Sequence, residues 1–338
     1  MGIDLWGGQI RGATENRATV CFTAPRVALP MRDLFLSAYA RFADACRAVD
    51  EPGLAVIAVD EISARPSGLV TLRARVARYV ASILGRHDVC DLFLPTNSEL
   101  ALRHLAIVLD PVQSYAKDQA AVRYRVLDLR TQTGFADENG RPLRGLRCEG
   151  PALLRCGGHA VFVLPLGDRS DWPDSATDAW AMLPERVYFD ELDAVPDSSI
   201  RITPMSTSTQ RSMIICTPGP RDSSDSLVIQ GHRDHAGTLE IIGRHHRGRL
   251  SLCHDSLRDG VLIGRYARCD GAGLLDDHSL SRVHLLLLHV DDAFIAIDTA
   301  SRNGSHLPGE PNARVITIAG DTELMLGSKT TARWRWAA

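Results

Sequence analysis

The sequence predicts a mainly β protein: two β-sandwiches joined by a polar linker, with a short α-helical element near the N-terminus. Three observations carry this reading. Short runs of β-forming residues, separated by turn residues, fill the spans 54–166 and 229–338. Between them, 167–228 is rich in Asp, Ser, Thr and Pro, as in GDRSDWPDSATD and TPMSTSTQRSM. Ahead of them, MRDLFLSAYARFADACRAV (31–49) repeats its apolar residues at helical spacing.

In chain order, residues 1–53 form an N-terminal segment with one strand-like stretch, Arg17–Phe22. Its helix, 31–49, places Leu36, Tyr39, Phe42, Ala43 and Cys46 on one stripe; such a stripe packs on its own domain. Pro30 precedes the helix, Asp33 lies in its first turn, and Asp50-Glu51-Pro52-Gly53 stops it. The first β region reads LAVIAV, VTLRARV, YVASILG, DLFLP, HLAIVL, RYRVLDL and AVFVLPL. The linker holds a short helix around 175–183 and a strand at Met213–Thr217. The second β region reads TLEIIG, GRLSLCH, VLIGRY, VHLLLLHV, FIAID, RVITI, ELMLG and TARWRW. Trp334 and Trp336 alternate with Arg there, as in a half-buried final strand.

The 338 residues suit two domains, at most three. A net charge of −3 argues against a general electrostatic grip on nucleic acid or an anionic membrane. Of the 38 Lys plus Arg, only Lys117 and Lys329 are lysine, a bias expected of a GC-rich, bacterial genome rather than of function. The eight cysteines are scattered without a CxxC, which fits reduced, mostly buried thiols in a cytosol. The first residues lack a signal-peptide pattern, and no stretch has the roughly 18 apolar residues of a membrane span. Met1-Gly2 is no myristoylation signal, because Trp6 stands where Ser or Thr is required. The expected location is cytoplasmic.

The two β regions overlay as an internal repeat. Gly85-Arg86 matches Gly264-Arg265; Ala101-Leu-Arg-His104 matches Ser281-Arg-Val-His284; Asp128…Gly134 matches Asp298…Gly304. Asp91-Leu-Phe-Leu pairs with the GAGLLDD stretch. The main length difference falls at PVQSYAKDQAA, a loop insertion.

On these residues the chain resembles the forkhead-associated (FHA) family, whose signature is Gly-Arg, then Ser-x-x-His, then Asn-Gly, on loops at one end of an eleven-stranded β-sandwich. Gly264-Arg265, Ser281…His284 and Asn303-Gly304 stand in that order and spacing. The resemblance implies two FHA-type sandwiches of about eleven strands each. It also implies a phosphothreonine-peptide site without catalysis, metal or cofactor. Phosphothreonine presents about −1.5 to −2 charges, which a cationic fork with hydroxyl and amide donors satisfies by short hydrogen bonds. By resemblance, Arg265 clamps the phosphate, Ser281 donates its hydroxyl, Arg282 is an auxiliary cation, Asn303 holds the peptide backbone and Gly304 permits the turn. Gly264 and His284 support the site.

The first copy keeps Gly85, Arg86, Arg103 and His104, but has Ala101 at the Ser position, Leu102 at the auxiliary Arg and Thr133 at the Asn. Losing one charged hydrogen bond costs about 1.5–3 kcal/mol, and a micromolar affinity is about 8 kcal/mol in all. This copy is therefore expected not to read phosphothreonine and to serve as a packing or interaction surface. His232, His235, His245 and His246 cluster, but their spacing fits no zinc pattern. Asp276-Asp277 and Asp291-Asp292 read as solvated loop ends. No phosphate-binding Gly loop, nucleophile elbow or kinase signature occurs. The expected function is a non-enzymatic adaptor or scaffold that docks on a phosphothreonine protein, a Ser/Thr kinase or its substrate. Self-association through a phosphorylated Thr207 or Thr209 is a further expectation. The alternative is a structural subunit, as in a secretion apparatus, whose FHA folds only pack.

Overall fold

A computed structural model describes residues 28–95, 98–113, 122–184, 235–243, 247–270, 272 and 278–337. Helix α1 (Met31–Arg47) forms where expected, with Tyr39, Phe42, Ala43 and Cys46 of the expected stripe buried and Leu36 only partly so. Leu34, Phe35, Ala38, Tyr39, Phe42 and Cys46 are buried on it, while Asp33 and Arg47 complement its dipole at either end. Eleven strands follow: β1 (Gly53–Asp60), β2 (Pro66–Arg73), β3 (Val80–Gly85), β4 (Leu92–Phe93), β5 (Leu105–Leu109), β6 (Tyr124–Asp128), β7 (Phe135–Asp137), β8 (Pro142–Leu143), β9 (Gly145–Cys148), β10 (Ala152–Cys156) and β11 (His159–Leu166). Their sheets run β2-β1-β11-β10-β7-β8 and β4-β3-β5-β6-β9.

Sequence periodicity missed β7 to β10. Strands of two to five residues, broken by Gly140, Gly145 and Gly150, are too short for alternation to show. A 3-10 turn (Arg169–Asp171) and α2 (Ala176–Met182) come next, within the span read as linker. Asp168 and Ser175 cap them through side-chain oxygens, and Trp172, Ala179 and Trp180 pack against α1. The expected strands at Arg17–Phe22 and Met213–Thr217 lie outside the described residues.

The second region contains β12 (His235–Ile242), β13 (Arg247–Cys253), α3 (His254–Asp259), β14 (Val261–Ile263), β15 (Leu285–Val290), β16 (Ala293–Asp298), β17 (Ser305–His306), β18 (Val315–Thr317), β19 (Thr322–Leu326) and β20 (Thr330–Trp336). Its sheets run β13-β12-β20-β19-β17 and β14-β15-β16-β18. Trp334 is 1% exposed and packs edge-on against Phe294, whereas Trp336 is half-buried.

Each region is a two-sheet sandwich with its own core. The first core joins Leu54, Val56, Leu105, Ile107 and Tyr124; the second joins Leu239, Leu285, Leu287, Phe294 and Trp334. α1 and α2 cover the outer face of β1, β10 and β11, against Ile57, Leu153 and Phe162. The β3-β5-β6 face of the first sandwich packs on the β14-β15-β16 face of the second. This seam contains Ile83, Ala106, Val108, Leu262, Leu286, Leu288 and Ile295. The layers are thus helix, sheet, sheet, sheet, sheet.

Six described cysteines are free thiols, five of them buried. Burial pushes the Cys46 thiol up to about 12 and Cys90 up to about 11. Among the described residues, no helix is long and apolar enough to cross a membrane.

Leu286 is 3% exposed in the seam, so Leu286→Ala is expected to destabilise the full chain by about 2–5 kcal/mol in urea unfolding. An unchanged midpoint would show that the two sandwiches do not depend on this contact.

Candidate functional site

The loops at one end of each sandwich are built alike, residue for residue. In the second copy the backbone crosses so closely at Gly264 that a Cβ there would sit 2.4 Å from the Arg282 oxygen; at Gly85 it would sit 2.4 Å from the Leu102 oxygen. Only glycine fits such an approach. It lets Tyr266 N–H donate to the Arg282 oxygen at 2.9 Å and His284 N–H to the Ile263 oxygen at 2.9 Å. Asp270 accepts from Leu262 N–H at 2.8 Å, as Asp91 does from Ile83 N–H at 2.7 Å. Cys90 and Cys269 donate to the Leu102 and Arg282 oxygens at 3.3 Å each. Asp91 therefore pairs with Asp270, one residue ahead of the GAGLLDD stretch proposed from sequence.

Arg265 is exposed, and its Nε donates to the Leu280 oxygen at 2.9 Å. That bond orients the fork and leaves both terminal nitrogens without partners among the described residues. Ser281 is half-buried; its Oγ accepts from Arg302 N–H at 3.0 Å, which keeps its own proton available to donate. Asn303 donates Nδ2–H to the Ser279 oxygen at 2.6 Å, so it ties the Asn-Gly loop to the Ser loop. Gly304 has φ +74°, and a Cβ there would collide with the Asn312 side chain. Arg282 is exposed beside Ser281.

His284 is fully buried beneath these loops. Its Nδ1 accepts from Ser281 N–H at 3.2 Å, so the neutral ring carries its proton on Nε2, which donates to the Gly304 oxygen at 3.2 Å. The ring thereby joins the Ser and Gly loops as a brace. His104 repeats the arrangement, with Ala101 N–H at 3.0 Å and the Gly134 oxygen at 2.7 Å.

Sequence reasoning missed the carboxylate floor of this site. Asp298 accepts from Ser301 N–H at 2.7 Å, Ser301 Oγ–H at 2.6 Å and Ser305 Oγ–H at 2.7 Å, and Ser301 Oγ accepts from Gly304 N–H at 2.9 Å. In the first copy Asp128 and Thr131 hold Gly134 in the same way. The signal was the Asp-x-x-Ser/Thr spacing, which lets the carboxylate accept from the backbone N–H three residues on.

The first-copy residues keep the frame. Arg86 is exposed, with its Nε on the Leu100 oxygen at 3.0 Å. Ala101 and Thr133 occupy the Ser281 and Asn303 positions. Of the clustered histidines, only His235 lies among the described residues; Asp276, Asp277, Thr207 and Thr209 do not.

Burial pushes His284 below the ordinary value of 6.5, against the opposing pull of Asp298; burial likewise lowers His104, against the Gly134 bond and Asp128. Their neutral forms belong to the folded state, so the unfolded chain takes up protons first. This stability is present above about pH 6.5 and is lost as pH falls below it. The thermal midpoint is expected to fall from about pH 7.5 to about pH 5.5, less steeply in His284→Gln. An identical slope in the variant would count against the brace.

The family model described as FHA domain matches residues 261–327. No curated protein matches the chain. Among solved structures, the chain is similar to Mycobacterium tuberculosis Rv1747 FHA-1, at 21% identity and TM-score 0.24, over 30% of this chain and 99% of that one. It is similar to the FHA domain of CT664 from Chlamydia trachomatis, at 20% identity and TM-score 0.26, over 30% and 99%. It is also similar to the yeast Dun1 FHA domain, solved with a doubly phosphorylated peptide, at 20% identity and TM-score 0.26, over 34% and 84%. With its Gly-Arg, Ser-x-x-His and Asn-Gly loops assembled at one end of a sandwich, the part of the chain spanning residues 261–327 is an FHA domain.

Proposed function

We propose that this protein is a phosphothreonine-peptide-binding adaptor or scaffold in Ser/Thr-kinase-dependent signalling or assembly, acting in a bacterial cytoplasm. Its partner is a phosphothreonine protein, a kinase or its substrate. Its two FHA-type units are 54–166 and 229–338, flanked by the 1–53 segment and joined by the 167–228 linker. One observation carries the reading: exposed Arg265 is held by its Nε bond to the Leu280 oxygen, and its two terminal nitrogens have no partner among the described residues. That is a preformed fork for a dianion. The site needs no nucleophile or proton transfer, so binding alone is its chemistry. Phosphorylated Thr207 or Thr209 is proposed as a route to self-association.

A second reading is favoured by the seam: the FHA folds act as packing modules of a larger assembly. The two copies already use an apolar sheet face to hold one another.

The test is binding of the full chain to a degenerate phosphothreonine peptide library. Arg265→Ala removes a charged hydrogen-bonding group worth about 1.5–3 kcal/mol, so affinity is expected to fall by about tenfold or more. Binding no stronger than to the unphosphorylated library would leave the packing role.

A further inference from the structure

Between the two copies, where their loop ends meet, lies a cavity of about 360 Å³. Its size is in the range of small-ligand sites. Arg86 and Arg103 line it from the first copy, and Arg268 and Arg282 from the second; Thr133 and Tyr266 add hydroxyls. One acid, Glu99, also lines it. None of the four arginines is in an ion pair among the described residues. Arg103, 4% exposed, donates through Nε and Nη2 to the Ala300 oxygen of the other copy. Arg268 donates to the Arg130 oxygen at 3.4 Å and the Arg103 oxygen at 3.2 Å, while its buried Nε has no hydrogen-bond partner.

Arg103 is held by a backbone carbonyl, and half-buried Arg268 by carbonyls and by the Tyr266 ring, 5.3 Å from its guanidinium carbon, so neither has a carboxylate in direct contact among the described residues. Burial pushes both Arg103 and Arg268 below their ordinary value. The cavity adjoins the first-copy loops that lack a serine and an auxiliary arginine, at Ala101 and Leu102. The neighbouring copy supplies cations to that same space, as Arg268 and Arg282. Arg86 meanwhile keeps the anchored pose of Arg265.

We propose that this cleft is a composite anion site that takes the phosphate group of a phosphorylated protein segment. Arg86 and Arg282 close on the phosphate from opposite copies, and Arg103 and Arg268 form its charged floor. A first copy lacking the family's serine can thus still receive a phosphate, without the threonine selection of the family's site. The cleft goes beyond the Arg265 site, with which it shares Arg282, and does not need the Arg265 fork.

The experiment uses the full chain carrying Arg265→Ala, which silences the second-copy site. Probes are inorganic phosphate, a mixed phosphoserine and phosphothreonine peptide library, and the unphosphorylated library. Phosphate-dependent peptide binding is expected to persist, and to weaken by about tenfold or more when Arg86→Ala is added. Arg86→Lys should fall between the two, since it restores a point charge without the fork. Arg86 is exposed, so an unchanged thermal midpoint confirms that Arg86→Ala folds. Loss of all phosphate binding in Arg265→Ala alone would overturn the cleft and leave the Arg265 site standing. Phosphate-dependent binding unaffected by either substitution would overturn both. Binding of inorganic phosphate without phosphopeptides would overturn the assignment to a protein segment.

Discussion

The arrangement of this molecule depends on an apolar seam between two sheets. Strands β5 and β15 are each buried on both faces, so alternate residues serve different cores. Leu105, Ile107 and Leu109 fill the first sandwich, while Ala106 and Val108 face the second. Leu285 and Leu287 fill the second sandwich, while Leu286, Leu288 and Val290 face the first. A single sandwich would leave one face of each strand to water. Removing both faces from water joins the copies and sets their loop ends side by side.

The polar margin of the seam then orients those loops. Ala300 and Arg130 occupy equivalent positions, and both adopt left-handed backbone, at φ +59° and +53°. For a non-glycine residue this conformation is disfavoured by roughly 1–2 kcal/mol. Each offers its carbonyl across the seam, Ala300 to Arg103 and Arg130 to Arg268. Arg130 also reaches Asp270, and Arg314 reaches Asp91 at 3.0 Å, so the same aspartate that shapes each loop also anchors the opposite copy. Divergence between the repeats has a physical use here: Arg103 stands where the second copy has Val283, and this arginine crosses the seam.

Much of the site was legible in the sequence because its parts are local. Gly264-Arg265, Ser281…His284 and Asn303-Gly304 are short motifs readable within a few residues, and loop bonds bring them together at one end of the second sandwich. The resemblance also implied that His284 supports the Ser281 loop, and its ring bonds Ser281 N–H and the Gly304 oxygen. Asp298 was less visible, because one acid at a strand end resembles any solvated loop residue until its donors are in place.

The sequence alone determined the strand texture, the repeated pattern and the order of the Gly-Arg, Ser-x-x-His and Asn-Gly motifs. These depend on side-chain alternation and turn chemistry within a few residues. It could not tell what covers the outward residues of HLAIVL and VHLLLLHV, because alternation marks two faces without saying what packs on either. Tertiary structure decided that each covers the other. It also decided that Arg86 and Arg103 share a cavity with Arg268 and Arg282, roughly 165–200 residues further along the chain. Such a juxtaposition is a property of long-range packing, which no local pattern encodes.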